Sequence, residues 1–182
     1  MTESFEERSR REKSPMQYRI YKGIKGTLGA MRINLKRPYT NKDSKKSEGV
    51  LFLEMAPTVG PNIYDWEKQK MVMALSIVDI PKIILYLRNP NHKVFDRTDN
   101  KLKLIHDKNA GTAKKGQTVK ILEIGKPKDM NNFMFNMSEK QDGQPYASAG
   151  VTVSPDEAIV MGTLLQAAIP IILSWTEGPY ST

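Results

Sequence analysis

An α+β fold, with two four-stranded antiparallel β-sheets each followed by an α-helix, is what this 182-residue sequence predicts. Three observations carry the prediction. Apolar residues alternate at period two in several short runs, the pattern of half-buried strands. Two longer apolar runs open on helix-capping residues. The order strands then helix occurs twice along the chain, as in folds that pack helices on antiparallel sheets. The length suits one domain able to bury a substantial core. Residues 1–16 read as a solvated tail, 17–177 as the domain and 178–182 as a flexible end.

The first sheet is predicted to begin with QYRIYKG from Gln17. In TLGAMRINLK, from Thr27, Met31, Ile33 and Leu35 share one face while Arg32, Asn34 and Lys36 share the other. One face of that strand meets a core and the other is wet and basic. A polar loop, RPYTNKDSKKSEG, leads to the strand VLFLEMAP. The loop APTVGPN and an aromatic pair around an acid, Tyr64-Asp65-Trp66, precede a fourth strand, KMVMALS.

SIVDIPKIILYLRN reads as the first helix. Either Ser76 and Asp79 form a capping box, or Asp79 is itself the cap with Pro81 in the first turn; both start the helix within one turn. In the second half HKVFDRT, KLKLIHD, QTVKILEIG and FMFNMS read as short strands, with YASAGVTV a further strand or part of the last hairpin. SPDE then opens the terminal helix, with Ser154 as cap, Pro155 at the first position and Asp156 and Glu157 in the positive first turn. Pro170 is expected to kink it.

Ala158 to Thr176 runs nineteen residues without a charge, near the length of a membrane span. Gln166, Gly162, Pro170 and the lack of basic flanks make a core helix the reading instead. Both predicted helices are apolar around more of their circumference than two sheets can cover. Self-association through the helices resolves this; the alternative is one deep core.

Composition excludes several chemistries. With no cysteine there is no disulfide, no thiolate zinc site and no cysteine nucleophile. Of the two histidines, His92 and His106, the second adjoins Asp107, but neighbouring strand residues point to opposite faces. No metal-ligand spacing or nucleophile motif occurs, so neither an enzyme, a cofactor nor a metal is expected. Gly23, Gly26 and Gly29 fit neither a dinucleotide fingerprint nor a P-loop, and read as marks of a turn, a bulge or close backbone approach.

Charge is the stronger signal. Arg8 to Lys46 holds thirteen Lys or Arg against Glu12 and Asp43, a net +11, while the whole chain carries +8 and no basic residue follows Lys140. So one-sided a field points to a polyanion, nucleic acid being the commonest, the alternative being a basic surface kept for solubility. Aromatics interleave with the basic residues. Lys22, Lys25, Arg32, Lys36, Lys103 and Lys120 are the candidate phosphate contacts, and Tyr21, Tyr39, Tyr64 and Trp66 the candidate stacking platforms. Stacking of a base on such a ring contributes about 1–3 kcal/mol. Asp65 would repel phosphate, so it is expected to hold a lysine or an amide of its own loop. Trp66 is left with three faces to meet: a base, a neighbouring protomer or its own core.

YKGIKGTL, GVLFLEMAP, YDW followed by KQKMVMALSIVDI, FMFNMS and EAIVMGTLLQAAIPIILSW together resemble, in order and spacing, the Whirly single-stranded DNA-binding proteins. They resemble more distantly the kinetoplastid mitochondrial RNA-binding proteins. The likeness spans about residues 18–176. It implies two sheets each followed by a helix, a homotetramer whose core the helices make, and binding of single strands with little sequence preference. It assigns Lys22 and Lys25 to a strand similar to the family's KGKAAL motif, and Tyr64, Asp65 and Trp66 to its YDW loop. Ile24 stands where the family has its second lysine, so either Lys25 takes that role after a bulge or the higher assembly attributed to it is lost. MTESFEERSRREKSPMQ has neither an apolar secretory core nor a transit-peptide composition, which makes a cytoplasmic or nucleoid-associated protein the expectation. RNA binding on the same fold, and a scaffold that binds no nucleic acid, are the alternatives.

Overall fold

A computed structural model describes residues 17–22, 29–40, 47–98, 100–108, 115–128 and 130–177, with side chains over 29–35, 50–95, 100–108, 115–128 and 130–174. The first sheet is a meander of β1 (Gln17–Lys22), β2 (Gly29–Thr40), β3 (Ser47–Gly60) and β5 (Met71–Leu75), with the two-residue β4 (Ile63–Tyr64) folded back on the end of β3. Met31, Ile33 and Leu35 lie in register with Met55, Leu53 and Leu51 of β3, and these with Met71, Met73 and Leu75 of β5. All are buried, so the alternation in the sequence is the inner face of this sheet.

β2 and β3 are longer than predicted. Their ladder resumes beyond a register shift between Lys36 and Tyr39 and runs on to Thr40 opposite Ser47. Pro38, which has no N–H to donate, falls in that irregularity, so the polar run RPYT is strand rather than loop. At the other end APTVG is also strand, and the turn shrinks to Pro61 and Asn62, the latter at a φ of 57°.

The second sheet is β6 (Lys101–Asp107), β7 (Thr118–Gly125), β8 (Phe133–Gln141) and β9 (Gln144–Val153). Asp142 and Gly143 both take positive φ, 51° and 78°, the geometry of a type I′ hairpin, which makes YASAGVTV the strand β9. HKVFDRT is not a strand: Lys93–Thr98 is a 3-10 helix. Its backbone bonds locally, the Phe95 N–H donating to the His92 carbonyl at 2.9 Å. Phe95 packs edge-on against Tyr86 with ring centroids 4.9 Å apart, and that contact replaces a ladder partner.

β9 crosses the inner face of the first sheet, touching β1, β2 and β3. At Gly29 an added Cβ would stand 2.4 Å from the Ala56 carbonyl oxygen of β3 and 3.3 Å from the Ala149 Cβ of β9. Of the three spaced glycines, Gly29 marks a close backbone approach; Gly23 and Gly26 lie outside the described residues.

Both helices start on capping boxes. For α1 (Asp79–Arg88) the Ser76 N–H donates to Asp79 Oδ2 at 3.0 Å and the Asp79 N–H to Ser76 Oγ at 3.3 Å. For α2 (Pro155–Glu177) the Ser154 N–H donates to Glu157 Oε2 at 2.8 Å and the Glu157 N–H to Ser154 Oγ at 3.3 Å. α2 runs on through Pro170 and packs on α1 and β3, burying Ala158, Met161, Leu165, Ala168 and Ile172. Its opposite side leaves Ile159, Val160 and Leu173 exposed, so the single chain covers only one stripe of this helix.

Tyr86 of α1 is fully buried. Its hydroxyl donates to the Asn100 carbonyl at 2.6 Å and accepts from the Lys126 N–H at 3.1 Å, pinning the start of β6 to the end of β7. Burial pushes this phenol above its ordinary pKa, with the bond from Lys126 acting the other way.

Candidate nucleic-acid interface

On the outer face of the first sheet, Arg32 lies in register between Arg19 of β1 and Glu54 of β3. Its Nε donates to Glu54 Oε2, and its Cζ lies 4.6 Å from the centroid of the Trp66 ring, a cation–π contact. Glu54 is buried, so much of this pair is withdrawn from water.

The Tyr64-Asp65-Trp66 segment is shaped by its own backbone. The Asp65 N–H donates to the Pro57 carbonyl and the Trp66 N–H to that of Tyr64, both at 3.0 Å, while Asp65 Oδ1 accepts from the Lys68 N–H at 2.8 Å. Asp65 therefore orders the loop, as expected of it. The loop folds Trp66 back onto its own sheet, with one side of the indole on Arg32 and the residue half-buried.

The second sheet carries two of the predicted phosphate contacts, Lys103 and Lys120, on opposite faces. Lys103 is on the outer face, its ammonium 3.1 Å from Glu123. Lys120 is on the inner face with Leu122 and Ile124. Its ammonium donates to the Val72 carbonyl of β5 at 2.8 Å and stands 3.6 Å from Glu139. Lys120 thus straps the edge of the first sheet to the second. Arg32, Lys103 and Lys120 each have a carboxylate neighbour before any polyanion arrives.

Beside Lys120, a cleft of about 470 Å³ separates β5 from β6 and β7, lined by Val72, Ala74, Ile105, His106, Lys108 and Lys120. His106 lies opposite Lys120 in the ladder, and its Nε2 is 3.3 Å from Asp79 Oδ2 at the cap of α1. Asp107, on the other face, accepts from the Gly116 N–H at 2.8 Å instead. Sequence reasoning dismissed His106–Asp107 for the right reason but missed His106 in the cleft, because its partner is remote in sequence.

Of the predicted contact residues, the fold brings Arg32 and Trp66 together, with Tyr64 in the same loop, and places Lys103 and Lys120 on the second sheet. Tyr21 and Lys22 lie on β1 opposite Ala30 and Gly29, Lys36 opposite Val50, and Tyr39 opposite Glu48. The side chains of these four, and all of Lys25, fall outside the described residues.

Comparison with known proteins agrees with this architecture. A family model described as Whirly transcription factor matches residues 20–164. The chain is similar to a protein of Solanum tuberosum named single-stranded DNA-binding protein WHY1, chloroplastic, at 27% identity over 164 residues, covering 87% of this chain and 54% of that one. It is similar also to the Zea mays protein of the same name, at 27% identity over 161 residues, covering 87% and 56%. The chain thus spans about half the length of the curated relatives it matches. Among solved structures it is similar to WHY1 from Arabidopsis thaliana, with a TM-score of 0.69 at 23% identity over 88% of this chain and 86% of that one.

Proposed function

Because the chain belongs to the Whirly family, we propose that it binds single-stranded DNA with little sequence preference and coats exposed strands during replication, recombination or repair. The observation that carries this reading is the outer face of the first sheet. A half-buried indole rests there on the guanidinium of Arg32, which belongs to the stretch of chain that holds the net +11. Bases splayed from a single strand stack on such rings while lysines take the phosphates. A duplex keeps its bases inside and gains nothing from the rings.

Fluorescence titration with an oligo-dT and with its duplex, at several salt concentrations, tests this. The expected result is tighter binding of the single strand and a log–log salt slope of about −0.7 per phosphate contacted. Equal affinity for both forms, or no slope, overturns it. Competition with a matched RNA oligomer decides between the sugars.

The same reading gives the outer stripe of α2 its cover, namely further copies of the chain in a homotetramer. What supports it is the exposed Ile159, Val160 and Leu173 on a helix too apolar for water. Light scattering should give the mass of four chains, and Ile159→Glu with Leu173→Glu should lower it. A strictly monomeric wild type contradicts the assembly.

A further inference from the structure

A second concavity lies on the outer face of the second sheet, and Trp66 is not part of its lining. It measures about 370 Å³, within the size of pockets that hold small ligands, and its lining includes Asn100, Lys101, Gly125, Lys126, Lys128 and Asn136. The ladder explains the hollow. Lys101, Gly125 and Met134 stand side by side on β6, β7 and β8, and because the glycine has no side chain the stem of Lys101 forms the floor between them. A Cβ at Gly125 would meet only the Lys101 side chain, at 3.5 Å and beyond.

Three features make this a built site rather than a dip in the surface. The rim is fixed from below, since the buried Tyr86 hydroxyl holds both the Asn100 carbonyl and the Lys126 N–H. The charge is positive and available: among the described residues neither Lys126 nor Lys128 has a carboxylate at ion-pair distance, and Lys126 lies over the Phe133 ring, 5.5 Å from its centroid. Glu123, the acid in the lining, is engaged by Lys103 at 3.1 Å. The wall opposite the lysines offers the Met134 thioether and the Asn136 amide, an apolar surface and a two-way hydrogen-bonding group suited to a base.

We infer that this pocket holds one nucleotide of the bound strand, its phosphate at Lys126 and Lys128 and its base on the Lys101 stem above Gly125, against Met134 and Asn136. The inference rests on the single-strand reading above and adds to it a subsite on the second sheet.

Two variants test it by different routes. In Lys126→Ala/Lys128→Ala the salt slope for oligo-dT should fall by about 1.4, and affinity at 0.1 M monovalent salt by about 25-fold, the release of two phosphate contacts. In Gly125→Ala, which crowds the floor without changing charge, affinity should fall with the slope unchanged. Both variants should melt with the wild type, because the altered side chains are at the surface. Wild type that binds oligo-dT while both variants match it overturns the pocket alone. Wild type that ignores oligo-dT overturns the functional reading beneath it.

Discussion

Arg32→Ala should lower the unfolding free energy by about 3 kcal/mol, because it leaves the buried Glu54 carboxylate without its partner. The loss should show as a lower midpoint in denaturant unfolding. Replacing both residues with methionine should restore most of the stability, since two apolar side chains leave no uncompensated charge. Oligo-dT binding should not follow stability back. Arg32 and Glu54 are together neutral, so removing both should scarcely alter the salt slope, while affinity stays low because Trp66 has lost its support. This outcome makes Arg32 a positioning residue for the indole. A slope that drops by a full phosphate contact in the double variant would return Arg32 to direct phosphate binding.

Gly29→Ala should cost about 3 kcal/mol, although alanine is the smallest possible change. Its Cβ would fall 2.4 Å from a backbone oxygen of the neighbouring strand, with β9 closing the other side, so a main chain must move. For a domain of this length that loss lowers the melting temperature by about 6–12 °C, compared at one protein concentration. Gly125→Ala is the control, since its nearest neighbour is the flexible stem of Lys101. Equal melting temperatures for the two variants would show that β2, β3 and β9 do not meet as described.

Much of the fold was legible because it rests on local rules. Period-two alternation identified the inner face of β2, and Ser154-Pro155-Asp156-Glu157 announced the start of α2. The misreadings have local causes too. HKVFDRT has the composition of a strand, but Phe95 finds its partner in Tyr86 and the backbone closes on itself. RPYT has the composition of a loop, yet a register shift lets it pair.

The contact residues were less legible, because a lysine's sequence position does not say which charge it will meet. By itself the sequence determined the class of fold, the uneven charge and the family resemblance, since residue order alone sets periodicity, caps and net charge. Only the tertiary structure decided that Trp66 lies on Arg32, that Lys120 turns inward to Val72, and that Gly125 opens a pocket beneath Lys126 and Lys128. Each of these joins strands or loops distant in the chain. Which cations remain available for phosphate depends on where the nearest carboxylates fall after folding.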